Sequence, residues 1–533
     1  MKKEKVVIVG AGMAGLTAGA YLSREDYDVL MLDMNSRTGG LVSTFERDGF
    51  YFDTGPRAFV NSGMVKPILR DLEIEWEEID NTISIAVEDK SFEIKSLRSL
   101  ADYERLLTEL YPSDKEDIKK IMKIVEKLSK HTEVLYEFDN PYFVDYTSNK
   151  KVLFKEFLPW LLKLAKSLRA FNKYGMPMEE FLEKLTDNQS LIDILTQLFF
   201  AKTPTYFALG YFQVYLDYFY FKNGTSTLPK LLEKKIIDDG GKIKLNTKVE
   251  NILVKDKIVI DSEGNKYEYD HLIWSADLKT YYKQTNIGDI DSKVISKFNT
   301  QKEKVLSAKA AESVYVMFLA VDRPTSYFAE ISGEHMFYTP SKKGLGKISK
   351  SSMKNLISNY DDLTKQEVFE WVEEYCDLNT FEVSIPGLRD PDLAPEGKTG
   401  IMISCLFDYE ISRKIDESGW SDDFKEIMEK KIISLFSNGI FEGIAKDVIF
   451  SFSTTPTAIN RLTGNSEGGI VGWSFEGESP VHNKLKDLAK AVLTPIPNIY
   501  QASQWAYAPA GVPIAMLTGW HASQKIKKKL KKK

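Results

Sequence analysis

Residues 5–33 read KVVIVGAGMAGLTAGAYLSREDYDVLMLD. Residues 6–9 are a short β-branched run, the composition of a strand buried on both faces. Gly10-Ala11-Gly12-Met13-Ala14-Gly15 follows and matches GxGxxG. Gly10 allows the tight turn, Gly12 lets backbone approach a pyrophosphate, and Gly15 lets the next helix pack close to the strand. A helix over 14–23, opened by Ala14, aims its positive N-terminal end at the phosphates. A second strand over 28–32 ends in Asp33, where a carboxylate that accepts ribose hydroxyls belongs. Strand, glycine turn, helix, strand and acid in this order predict a Rossmann-type α/β unit that holds a dinucleotide.

The next segment, 34–59, reads MNSRTGGLVSTFERDGFYFDTGPRAF. A second glycine pair, Gly39-Gly40, follows Asp33 closely, with Arg37 just before it. An alternating strand then ends in Asp53, Gly55 and Pro56, with Arg57 behind. A nicotinamide dehydrogenase has no use for this second turn, whereas a longer cofactor does. Together these residues resemble the FAD-dependent amine oxidase-like superfamily, and within it the phytoene desaturase, carotenoid isomerase and retinol saturase branch. Leu41 stands where that family has an arginine, with Arg37 and Arg57 as neighbours able to compensate.

Further blocks carry the same resemblance. Residues 220–277 read as a turn, a helix over 227–238, and strands near 242–245, 248–254, 257–261, 266–269 and 271–274, with a hairpin turn at 261–265. Val249 matches the family residue whose backbone contacts adenine. Residues 385–400 and 454–475 are ordered loops that look like the same branch, the second containing Arg461, Gly464 and Asn465. At 498–520, NIYQASQWAYAPAGVPIAMLTGW, Gln504 would bond ribityl or pyrophosphate oxygens. The turn amides around Gly511 and Val512 would face the flavin pyrimidine. Ser503 and Gln504 depart from the family's glycine and acid.

The resemblance implies an α/β fold: a discontinuous Rossmann-type FAD-binding domain (1–95, 222–285 and 470–533) with an α+β substrate domain and a helical cap (96–221 and 286–469). It implies FAD as cofactor, bound by Gly10, Gly12, Ala14, Gly15, Asp33, Arg37, Gly39, Gly40, Leu41, Gly55, Pro56, Arg57, Val249, Gln504, Gly511 and Val512. It implies an oxidoreductase acting on C–C or C=C bonds of a long apolar isoprenoid or polyene, in the manner of a phytoene desaturase. Polyene saturation or isomerisation, an amine- or protoporphyrinogen-oxidase-like activity, and a flavin-holding lipid carrier without turnover are the alternatives. No catalytic residue stands out; Asp217, Glu476 and Arg57 are polar groups close to the matched motifs.

The chain has 533 residues, 43% hydrophobic and 28% charged, with a net charge of −6. That suits a globular protein of more than one domain and gives no sign of a nucleic-acid partner. Cys376 and Cys405 offer neither a disulfide framework nor a CxxC site, and the scattered histidines have no metal-ligand spacing. No metal is expected, and a reducing, cytoplasmic location is. Residues 6–9 are too short for a signal peptide. The uncharged run 491–520 contains Pro495, Pro497, Pro509 and Pro513, so it reads as a buried strand, turn and helix rather than a membrane span.

Residues 525–533 contain seven lysines. They read either as a solvated, disordered tail or as a contact with an anionic membrane surface, with Ile526 and Leu530 on one face. Residues 98–221 read mostly as helix. Nine of the sixteen residues in 206–221 are aromatic; Phe207, Tyr211, Val214, Tyr215 and Tyr218 fit one helical face. That face suits either a packed core helix or the wall of an apolar tunnel. Residues 153–170, LFKEFLPWLLKLAKSLRA, read as a packed amphipathic helix or as one facing a membrane.

Overall fold

The predicted first strand, Glu4–Val9, is the middle of a five-stranded parallel sheet. The order is Lys242–Lys244, Tyr27–Leu32, Glu4–Val9, His271–Trp274 and Ile499–Gln501. Three distant stretches of chain therefore build one sheet, which makes the dinucleotide-type unit discontinuous. The computed structural model describes residues 3–348 and 350–530. Every residue of the helix Met13–Ser23 is buried, because the helices Thr227–Asp238 and Val512–Leu530 pack on it from outside. A Cβ on Gly519 would lie 2.1 Å from the carbonyl oxygen of Ala14, so these two helices meet backbone to backbone.

A second sheet, of seven strands, runs in the order Val448–Thr454, Ser313–Val321, Thr399–Phe407, Phe381–Ser384, His335–Thr339, Ile83–Val87 and Lys90–Ile94. All its pairings are antiparallel except His335–Thr339 with Ile83–Val87. A boundary at residue 95 therefore falls too late. Ile83–Val87 and Lys90–Ile94 belong to the substrate-side sheet, since an apolar run such as ISIAV is fully buried only as an inner strand.

The helices Leu100–Leu110, Lys115–Tyr136, Leu158–Lys173, Gln189–Thr196 and Thr205–Tyr215 form the cap. Leu107, Ile118, Leu128, Leu191 and Phe212 pack with Ile83 and Val87 of that sheet in one core. The aromatic stretch 206–221 is not one helix. Its helix ends at Tyr215, and Tyr218–Phe221 is a strand paired with Phe59–Val60 and Glu78–Asp80. Aromatics suit a strand as well as a helix, and here pairing on both edges decides.

The lysine-rich end is likewise corrected. Helix Val512–Leu530 runs through residues 525–530, Ile526 is fully buried in the Rossmann core, and Lys527 Nζ lies 2.5 Å from Glu25 Oε1. Ile526 is a packing residue, held there by the first helix. The side chain of Leu530 and residues 531–533 lie outside the described residues.

Candidate functional site

The turn after the first strand is set by its backbone. Gly10 has φ +102°, donates its N–H to Leu32 O at 2.8 Å, and has no room for a Cβ, which would lie 2.8 Å from Ser275 O. Gly12 then caps the helix with no side chain to satisfy the free amides of its first turn. A Cβ on Gly12 would meet no protein atom within 4 Å, because that space is cavity. The second glycine turn is bonded onto the first. Gly39 N donates to Ala11 O at 2.8 Å, and a Cβ on Gly40 would lie 3.3 Å from Gly12 Cα.

Asp33 ends the second strand, buried at the cavity wall. Its carboxylate accepts from Ala11 N at 2.6 Å and from Asn35 N at 2.8 Å. Burial raises its pKa, and these two amides oppose the rise. The lone pairs they leave free suit ribose hydroxyls. Across the cavity the helix Val512–Leu530 presents its N-terminal end, with Gly511 at φ +138° and Val512 both on the wall.

Of the sixteen cofactor-site residues expected from the sequence, Gly10, Gly12, Ala14, Asp33, Arg37, Gly39, Gly40, Leu41, Gly55, Pro56, Arg57, Val249, Gln504, Gly511 and Val512 line this one cavity. Gly15 does not. A Cβ there would lie 2.0 Å from Gly10 O, so it serves helix–strand packing, the role its motif position implies. Arg37 is exposed, whereas Arg57 is buried, donating to Asp53 O at 2.8 Å with its Nε unpartnered. Gln504 Nε2 reaches Gly469 O at 3.4 Å. Arg461, Gly464 and Asn465 of the loop at 454–475 join the wall. Asp217, which accepts from Ser62 N at 2.9 Å, and Glu476, paired with Lys309 at 2.8 Å, are not on it.

The cavity, about 2110 Å³, continues from this cradle into a chamber under the cap. Phe207, Tyr211, Val214 and Tyr215 of the helix Thr205–Tyr215 form one side, joined by Tyr218 from the following strand. Trp160, Leu161, Leu164 and Leu168 of the helix Leu158–Lys173 form its outer side. The volume exceeds the roughly 300–1,000 Å³ of an ordinary ligand pocket, so the cavity has room for a dinucleotide and a long apolar molecule together.

The floor of the chamber holds groups that no motif announced. His335 Nε2 lies 2.9 Å from Glu382 Oε1, and Ser404 Oγ donates to Glu382 Oε2 at 3.2 Å. Burial would push Glu382 up, but His335, Arg57 and Ser404 outweigh it and bring the carboxyl down to about 2. Burial lowers His335; Glu382 opposes this, while Arg389 and Arg57 add to it. His335, Glu382 and Ser404 were missed because each occupies an ordinary alternating strand position, and only the sheet register assembles them.

Residues 8–72 match the family model described as an NAD(P)-binding Rossmann-like domain. Along its length the chain is 22% identical to 4,4'-diapophytoene desaturases (4,4'-diaponeurosporene-forming) of Staphylococcus aureus, with 96% of each chain covered. Among solved structures it is similar to an oxidoreductase from Methanosarcina mazei (TM-score 0.58, 13% identity, 98% of this chain and 100% of that one). It is also similar to putrescine oxidase bound to putrescine (TM-score 0.60, 11% identity, 99% of each chain). The glycine cradle, open at Gly12 and closed by Asp33 and a second helix end, fits FAD. Fold, cradle and full-length relatives agree: the chain is similar to FAD-dependent amine oxidase-like and phytoene desaturase-like enzymes and is an FAD-dependent, desaturase-like oxidoreductase.

Proposed function

We propose that this protein removes hydrogen from C–C bonds of a long apolar isoprenoid, extending its polyene. The observation that carries the reading is the single cavity running from the cradle into the aromatic and aliphatic chamber. On this reading the turn amides at Gly12 and Gly40 hold pyrophosphate, Asp33 the adenosine ribose and Val249 the adenine. Gln504 takes ribityl or pyrophosphate oxygens, and the helix end at Gly511 and Val512 takes negative charge on the pyrimidine. Bound FAD supplies a two-electron acceptor for hydride. The chain supplies orientation and dryness: Tyr211, Tyr215 and Tyr218 pack edge to face along the chamber and exclude water.

An amine substrate fits less well. Among the described residues the cavity-lining carboxylates are Asp33, Asp277 and Glu382. Asp33 and Asp277 each accept backbone amides, at Ala11 and Asn35 and at Thr280 and Ser466, and Glu382 faces His335 and Arg57. Each is already compensated, so none awaits an ammonium group.

The route in is part of the proposal. Leu161 and Leu168 line the cavity, while Leu162 (75% exposed) and Phe154 (64%) project outward. Lys155, Lys163 and Lys166 stand among them. Among the described residues no helix is long and apolar enough to cross a membrane. This surface instead suits shallow contact with anionic lipid, from which an insoluble substrate would pass under the cap. The test is anaerobic absorbance of the holoprotein mixed with diapophytoene-bearing liposomes. Bleaching of the flavin band as coloured polyene appears is the expected result; bound flavin that stays oxidised overturns the reading.

A further inference from the structure

Alternate residues on one face of the seven-stranded sheet point into the cavity. On the strand Ser313–Val321 these are Val314, Val316 and Phe318, as a hydrocarbon site requires. Following the register across, Val316 pairs with Ser404, Ser404 with Glu382, and Glu382 with Phe337, two residues from His335. The middle of an apolar floor thus carries a carboxylate and an imidazole. Removing such groups from water costs several kcal/mol per ion, and leucine or valine would close the same sheet without that cost.

The imidazole is also incompletely used. His335 is 2% exposed, and its Nε2 is within 2.9 Å of Glu382. Neither buried ring nitrogen completes a hydrogen bond: Nε2 lies beside the carboxylate without hydrogen-bond alignment, and Nδ1 has no protein partner. The Tyr218 ring packs against it, with centroids 5.8 Å apart and planes 29° from parallel. A ring that lies against a carboxylate and keeps unspent hydrogen-bonding capacity has the parts of a general base and its orienting group, whose hydrogen bond can tighten once substrate is bound.

We propose that His335 is the proton acceptor of the reaction and that Glu382 is its positioning residue. The proposal rests on the desaturation reading above. One C–H bond of the substrate breaks with its electron pair, leaving as hydride to oxidised flavin, the two-electron oxidant. The C–H bond on the neighbouring carbon gives its proton to Nδ1 of His335, and its electron pair becomes the new C=C bond. The imidazolium then faces the Glu382 carboxylate until the proton passes to solvent.

The charged groups facing His335 are Glu382 from the next strand, Arg389 from the turn Pro386–Arg389, and Arg57 from the cofactor side. Tyr218 and Tyr211, bonded hydroxyl to hydroxyl at 2.9 Å, stay neutral. Burial, with the two arginines, holds His335 below the ordinary imidazole value and so favours the free base, while Glu382 stabilises the cation once formed.

The test is stopped-flow flavin bleaching, without oxygen, of holoprotein mixed with diapophytoene in phosphatidylcholine–phosphatidylglycerol liposomes, across pH, for wild type, H335N and E382Q. H335N should retain flavin and bleach about 10²–10⁴-fold more slowly. In E382Q the acid limb of the rate–pH profile should move to lower pH, because loss of the carboxylate weakens proton binding by His335. A merely structural pair would change stability and leave that limb in place. Histidine ring ¹⁵N NMR, assigned by difference with H335N, should show a neutral ring protonated on Nε2 at pH 7. Should H335N not fold, the limb shift in E382Q decides. Bleaching of H335N at the wild-type rate, an unmoved limb, or a cationic His335 at pH 7 overturns the proposal. A wild-type flavin that never bleaches sinks the desaturation reading itself and the proton acceptor with it.

Discussion

Two glycines in one turn are required for different reasons, and substitution separates them. Gly10 sits at φ +102° against Ser275, so Gly10→Ala should cost about 1–3 kcal/mol in backbone strain alone, read as a lower melting temperature of the apoprotein. Gly12 has φ −75° and open space beside it, so alanine fits the apoprotein, and its methyl enters the cavity. Gly12→Ala should leave the apoprotein's melting temperature nearly unchanged and lower the flavin absorbance retained on purification. Glu382 gives a prediction with a defined sign. Its pKa is brought from the ordinary carboxylate range down to about 2. Its contribution to stability is therefore present above the unfolded-state value and is lost as pH falls toward 2. E382Q should melt below wild type at pH 7, with the gap closing between about pH 4.3 and pH 2.

At the scale of the element, the helix Leu158–Lys173 and the turn Leu153–Phe157 before it are amphipathic in an unusual sense. Trp160 and Phe171 are buried and line the cavity, while Phe154 and Leu162 face outward. One face packs, and the outward face is the one the proposed lipid contact would use. Phe154→Asp and Leu162→Asp should each weaken liposome binding by about 1.5–3 kcal/mol, the value of burying one large apolar side chain, in a co-sedimentation assay. Equal binding by wild type and both variants would remove the membrane route. The last helix behaves oppositely. Ile526 lies among lysines in sequence yet is fully buried in the core, so Ile526→Ala should cost about 2–5 kcal/mol.

At the scale of the whole molecule, the cofactor cradle is a seam. Its walls come from the turns after Glu4–Val9 and Tyr27–Leu32, from Val249, and from the start of the helix Val512–Leu530. A ligand that binds only when these segments are assembled stabilises the fold by mass action. Free FAD at 100 times its dissociation constant should add about 2.7 kcal/mol to the unfolding free energy, measurable as a melting temperature that rises with FAD concentration. The chamber beyond the seam can be tested separately. Leu164→Trp, at the outer wall, should narrow the way under the cap, slowing flavin reduction by a long polyene and leaving reduction by dithionite unchanged.

The Rossmann unit was legible because its signals are local. The run at 6–9, the glycine spacing and Asp33 lie within one short stretch, and backbone sterics at Gly10 fix the turn whatever surrounds it. The helix Thr227–Asp238 and the strand His271–Trp274 were readable for the same reason, with turns close at hand. Strand pairing is non-local, and there the sequence was ambiguous. Tyr218 fits a helical face as well as a strand, and it became a strand residue only because Phe59–Val60 and Glu78–Asp80 offered edges. Ile526 reads as tail until the buried first helix claims it. The polar floor is the extreme case: residues 335, 382 and 404 are far apart in the chain from one another or from Arg57, and each of the three is unremarked in its own segment. Sequence by itself determined the cofactor fold, because a glycine turn is a property of its own backbone. Only the tertiary structure decided where proton chemistry could occur, because His335 and Glu382 acquire their relation from the register of a sheet.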